Sequence, residues 1–149
     1  MSKRVLEFFI IDILIAIDKI KRYSKDFKNA DDFYYDEKSF DATMRELQII
    51  GEATKHLINS NLLDKSFRVI VDFRNLIVHE YFGIDKDEIW QIVTNNLYNF
   101  EEEILKLLKN SNHKIVLDIL NENKNDFKGK TLEYIEKLEK DIKCISQYQ

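Results

Sequence analysis

The chain has 149 residues, with 23 Lys and Arg against 27 Asp and Glu, for a formal charge of −4. That length fits one compact domain, and 44% hydrophobic residues with 12% aromatics supply a core, which excludes wholesale disorder. The acid excess excludes a protein that coats nucleic acid non-specifically, because such binding draws on clustered Lys and Arg.

Proline is absent and glycine occurs three times, so the composition predicts an all-α fold. A first helix is expected from near Ser2 to about Ser24, with Leu6, Phe9, Ile10, Ile13, Ile17 and Ile20 at three- and four-residue steps. Its apolar run from Val5 to Ile17 contains Glu7 and Asp12, and it is shorter than the roughly 20 residues that span a bilayer. It reads as a buried helix. The charged run Asp18-Lys19-Ile20-Lys21-Arg22 follows it where a secretory signal would need a small-residue cleavage site, so a cytoplasmic protein is expected. Asp26 to Asp36, with Phe33, Tyr34 and Tyr35, reads as a loop or short turn pinned by aromatics.

A second helix is expected over about Asp36 to Asn59, its inward side carrying Phe40, Met44, Leu47, Ile50, Gly51, Thr54 and Ile58. Glycine inside a helix costs about 1 kcal/mol relative to alanine, so Gly51 predicts a closely crossing neighbour. A third helix, capped by Asp64 or Ser66, runs from about Lys65 toward Tyr81 and stops by Gly83. A fourth occupies about Asp85 to Lys109, with Ile89, Val93, Phe100, Ile104, Leu107 and Leu108 at helical spacing and acids at its positive end. After Asn110-Ser111-Asn112 come a short helix to about Asn121, a polar link to Lys130, and a last helix from Thr131 to about Ser146. The expected organisation is a single domain over 1–149, with a four-helix core at about 3–109 and a helical extension at about 110–149. Cys144 is the only cysteine, which leaves no internal disulfide and fits a reducing compartment.

The third helix carries the chemistry. At about 100° per residue, Arg68, Asp72, Asn75 and His79 fall on one stripe of an otherwise apolar segment. Arg74 and His79 are five residues apart, about 140° round an ideal helix. They converge only on a groove that both flank, or on one closed by a second subunit. One reading makes Asp72, Asn75 and His79 mutual structural partners and Arg74 half of a salt bridge. Elsewhere, Glu52 and His56 have a metal-capable spacing but lack a third ligand, and His113 stands alone in a connector. No metal or cofactor is expected.

The segment Arg74-Asn75-Leu76-Ile77-Val78-His79-Glu80-Tyr81 resembles the Arg-x-x-x-x-His-x-Tyr signature of HEPN-domain proteins of the HepT toxin type. The upstream block Leu47-Gln48-Ile49-Ile50-Gly51-Glu52-Ala53-Thr54-Lys55 is similar to the same group, and the likeness spans about Lys3 to Leu108. The resemblance implies an antiparallel helical bundle that dimerises around a shared cleft. It further implies a metal-independent endoribonuclease in which Arg74 and His79 are the working pair and Asn75 supports them. The implied partners are RNA and an MNT-type nucleotidyltransferase antitoxin, which would transfer AMP to Tyr81. Two rival readings share the fold: a non-catalytic HEPN module that binds RNA, a nucleotide or the nucleotidyltransferase, and a helical dimerisation protein with no ligand. Tyr81 likewise has a plain alternative, packing against the start of the fourth helix.

Overall fold

The computed structural model describes residues 5–72 and 85–147, and every regular element among them is helical. The expected all-α bundle is what the chain forms. Helix α1 spans Leu6–Ser24, α2 Ala30–Tyr35 and α3 Glu37–Asn59. A 3-10 turn at Lys65–Phe67 leads into helical residues 68–72, here α4. Beyond residue 84 come α5 at Lys86–Gln91, a π turn at Ile92–Asn96 and α6 at Leu97–Lys109. Helices α7, His113–Asn123, and α8, Gly129–Ser146, form the extension.

Helix α1 is the axis of the bundle. Ile10, Ile11, Ile13, Leu14, Ile15, Ala16, Ile17 and Ile20 are all buried, which is more than one face of a helix. This follows from a segment that is apolar nearly all round and needs neighbours on several sides. Helices α3, α6, α7 and α8 all pack on it. Phe9 stacks on His56 with ring centroids 4.3 Å apart, while Lys19 lies 3.7 Å from Glu46, so α1 and α3 run antiparallel.

The structure departs from the sequence reading at four places. Residues 30–35 form a helix and not merely a turn, because the Asn29 side chain accepts the Asp32 N–H at 2.8 Å and Phe33 buries against Phe27, Phe40 and Trp90. Asp64 rather than Ser66 supplies the cap before α4, accepting the Ser66 N–H, and what it opens is a 3-10 turn. The fourth helix is interrupted by the π turn, where the Thr94 hydroxyl donates to Trp90 O at 2.7 Å and enters the backbone ladder. The wider turn keeps Ile89, Val93 and Leu97 inside at four-residue steps and leaves Leu107 half-buried. Finally, α7 runs to Asn123 and α8 starts at Gly129, whose φ of 65° carries no Cβ penalty. The predicted stop at Gly83 lies outside the described residues.

The turn that launches α4 is a Schellman motif. Asn61 takes φ 62°, the Leu62 N–H donates to Leu57 O at 3.0 Å, and the Asn61 N–H donates to Ile58 O at 3.0 Å. Asparagine tolerates this left-handed conformation better than other non-glycine residues. Asn61→Gly is therefore expected to leave thermal stability near wild type, whereas Asn61→Val loses about 1–2 kcal/mol; chemical denaturation of both variants measures the difference.

Candidate functional site

Arg74, Asn75, His79 and Tyr81 lie outside the described residues, so the structure reports the surroundings of their segment at both of its ends. On the entry side, α4 buries Val71 in the core and exposes Arg68, Val69 and Asp72. Arg68 and Asp72, two members of the polar stripe predicted for the motif helix, thus face solvent. Val69 is 62% exposed. A narrow cleft beside it is lined by Leu47 of α3, Val69 and Ile70 of α4, and Ile92, Asn96 and Leu97 around the π turn. The π turn therefore borders the helix that leads into the motif.

On the exit side the chain is held firmly. Asp85 caps α5 by accepting the Asp87 N–H at 2.9 Å. Lys86 pairs with Asp31 at 2.5 Å, and its ammonium also lies over the rings of Tyr34 and Tyr35 at 5.7 and 5.6 Å. The hydrogen bond that the Lys86 ammonium donates to Asp31 raises its pKa above the ordinary lysine value. Trp90 packs against Phe33, so α5 is pinned to α2 by rings as well as by charge.

The upstream block on α3 divides cleanly. Leu47, Ile50, Gly51, Ala53 and Thr54 are buried, and Ile49, Glu52 and Lys55 are exposed. One of the buried groups is polar, and among the described residues the Thr54 hydroxyl has no hydrogen-bond partner. Immediately before the block, Glu46 is buried at 6% exposure beside Lys19. Desolvation pushes its carboxyl above the ordinary range, and Lys19, Arg45 and Arg22 offset part of that rise. Sequence reasoning passed over Glu46 because at α-helical spacing it reads as one more charged surface residue.

The weaker candidates resolve into structural roles. His56 is exposed and stacks on Phe9, and among the described residues no cluster of His, Cys, Asp and Glu could hold a metal. His113, read in the sequence as a lone connector residue, ties three helices together. Its Nε2 donates to Lys109 O at 2.7 Å, and its Nδ1 lies 2.7 Å from Ser146 Oγ. No signal in a single sequence announces such a contact, because its partner is 33 residues away. Cys144 is exposed and free. Among the described residues no helix is long and apolar enough to cross a membrane.

A helical bundle with this α3 block and this motif-bearing segment defines a HEPN-type domain, and comparison with known proteins specifies which. The family model described as "Ribonuclease HepT-like" matches residues 13–107, and the chain belongs to the HepT-like ribonuclease family. Among its relatives, "Putative RNase MJ1380" of Methanocaldococcus jannaschii is 32% identical over 108 residues, covering 70% of this chain and 97% of that protein. "Probable ribonuclease HepT" of Thermococcus cleftensis is 30% identical over 110 residues, covering 72% of this chain and 99% of that protein. "Gamma-glutamylcyclotransferase and putative RNase MJ0434" of Methanocaldococcus jannaschii is 31% identical over 119 residues, and the aligned part spans only 53% of that longer protein. No solved structure matches the chain. The family match ends at residue 107, before α7 begins at His113.

The raised Glu46 pKa sets a direction for stability against pH. The folded chain binds this proton more tightly than the unfolded chain, whose carboxyl titrates near 4.5, so Glu46 contributes most below that value. Its contribution falls as pH rises through the folded-state pKa. Glu46→Gln is expected to gain on wild type progressively from below pH 4.5 toward neutrality, as read by urea midpoints across the range; a constant difference would contradict the assignment.

Proposed function

We propose that the chain is a metal-independent endoribonuclease, the toxin of a toxin–antitoxin pair, acting as a homodimer through Arg74 and His79. The observation that carries this reading is the intact Arg74-Asn75-Leu76-Ile77-Val78-His79-Glu80-Tyr81 segment in a chain that belongs to the HepT-like family. The printed names of its relatives, RNase and ribonuclease HepT among them, point the same way.

The chemistry needs only what these residues supply. RNA carries its own nucleophile, the 2′-hydroxyl beside the scissile phosphate, so cleavage requires proton transfer and charge stabilisation. In this reading the His79 imidazole takes the 2′-hydroxyl proton as the oxygen attacks phosphorus, and the P–O5′ bond breaks. The leaving 5′-oxygen receives a proton, and a 2′,3′-cyclic phosphate remains on the other fragment. Arg74 holds the phosphate through two hydrogen bonds and opposes the charge that builds at the transition state. Asn75 orients the imidazole or the substrate. A second copy of the chain closes the groove, which answers the wide angular separation of Arg74 and His79 on one helix.

Neutralisation follows from the position of Tyr81, two residues beyond His79. Transfer of AMP from a nucleotidyltransferase partner to its hydroxyl would add bulk and a negative phosphate beside the groove, excluding RNA by sterics and repulsion. The acidic balance of the chain fits an enzyme that engages RNA locally rather than by an overall positive surface.

RNA incubated with the chain in EDTA is expected to yield 2′,3′-cyclic phosphate and 5′-hydroxyl ends. Arg74→Ala and His79→Ala should each cut the rate by about 10²–10⁴-fold. Loss of activity in EDTA, or 3′-hydroxyl products, would refute the mechanism. A separate expectation concerns modification: intact-mass and peptide spectra after co-expression with the nucleotidyltransferase should show AMP on Tyr81, and Tyr81→Phe should stay toxic in its presence. An unmodified Tyr81 in a fully neutralised complex would overturn that half of the proposal.

A further inference from the structure

A cavity of about 680 Å³ opens at the end of the bundle where α1 begins, α3 ends and α6 turns into α7. This volume falls within the range of about 300–1,000 Å³ typical of small-molecule sites. One half of its lining is apolar, Val5, Leu6 and Ile10 from the start of α1, Leu62 after the α3 cap and Leu107 from α6; the other half is polar, with Ser60 and Asn110 beside Glu7, Ser111 and Asn112. Val5 and Leu62 are 41% and 40% exposed, and they leave greasy surface facing open space at the rim.

The polar groups of the lining are not equal. Ser111 Oγ donates to Leu107 O at 2.6 Å, and the Asn112 side chain accepts the Ile115 N–H at 3.2 Å, so both are committed to the turn they sit in. Glu7 is different. It is half-buried in the first turn of α1 and has no salt bridge among the described residues. The positive end of α1 favours a carboxylate there. Beside the apolar wall the Glu7 carboxylate offers an acceptor with which an ammonium can pair.

We propose that this cavity is a binding site for a small organic cation: an amine on an apolar body, its ammonium paired with Glu7 and its hydrocarbon against Ile10, Leu62 and Leu107. The site stands apart from the ribonuclease reading and does not depend on it. It lies at the opposite end of α1 from α2, and α1 is about 28 Å long. Part of its lining, the 110–112 turn, follows the end of the family match at residue 107, so the site depends on how this chain enters its own extension.

The test uses hexylammonium, with hexanol and hexanoate as probes of equal chain length, titrated into the full isotope-labelled chain and followed through backbone amide shifts. Hexylammonium is expected to move the amides of residues 5–10, 62 and 107–112, with an affinity on the order of millimolar. It should bind about three- to fivefold tighter than hexanol, with hexanoate weakest. Glu7→Gln should remove the advantage of the ammonium while hexanol still binds, which separates a lost ion pair from a collapsed pocket. Leu62→Arg, placing a guanidinium at the rim, should abolish ammonium binding. Equal affinity for all three probes, shifts spread over the acidic surface, or a Glu7→Gln variant that titrates like wild type would each overturn the proposal.

Discussion

The burial of α1 on nearly every side is the constraint from which the rest of the molecule follows. A segment reading Ile-Ile-Asp-Ile-Leu-Ile-Ala-Ile cannot sit on a surface, and each large aliphatic side chain removed from water contributes about 1.5–3 kcal/mol. Covering it takes helices on several faces, and α3, α6, α7 and α8 provide them. Once α3 lies antiparallel along α1, the Schellman turn at Asn61 and the 3-10 turn after Asp64 determine where α4 starts. The motif segment is thereby delivered from a buried anchor at Val71 and received at Asp85 by a capped helix that α2 grips through Lys86.

The polar contacts on α1 do a different job, some bracing the family core and others joining it to the helices beyond. Lys21 reaches Glu101 at 2.6 Å, Arg22 donates to Thr131 Oγ1 at 2.9 Å, and Lys19 sits between Glu46 and the ring of Phe127. Within the extension Lys124 lies 2.6 Å from Glu139, which with Lys143 holds that carboxyl below the usual range. The Tyr134 hydroxyl, pushed up by burial and by Glu101 and Asp18, lies at the same seam. Ion pairs of this partly exposed kind contribute little apiece. Their value is in orientation: they fix how α7 and α8 lie on a helix whose apolar surface would accept several registers.

Family membership and the extension together shape the functional picture. Two of the relatives align over nearly their whole length to about 70% of this chain, and the family match itself covers residues 13–107. The extension adds the α1 cover, the His113 tie between Lys109 and Ser146, and one wall of the cavity beside Glu7. Exposed Val69, with the cleft at the π turn next to it, adds open apolar surface on the α4 side of the described residues.

The helical class, the end of α1 at Ser24, the span of α3 and the position of the α6–α7 break were legible in the sequence, because hydrophobic periodicity and missing prolines are local signals, whereas the start of α1 falls at Leu6 rather than near Ser2. The segment from Arg74 to Tyr81 is read through its resemblance to a family signature and lies outside the described residues. The short helix Ala30–Tyr35, the π turn, the burial of Glu46 and the His113 tie were not legible, since each depends on atoms far away in the chain. Phe33 needs Trp90, Glu46 needs Lys19, and His113 needs Ser146. What the sequence by itself determined was the helical class and most of the aliphatic residues that turn inward. Only the tertiary structure decided which of them meet, because contacts between helices depend on packing order and register, which no local pattern encodes.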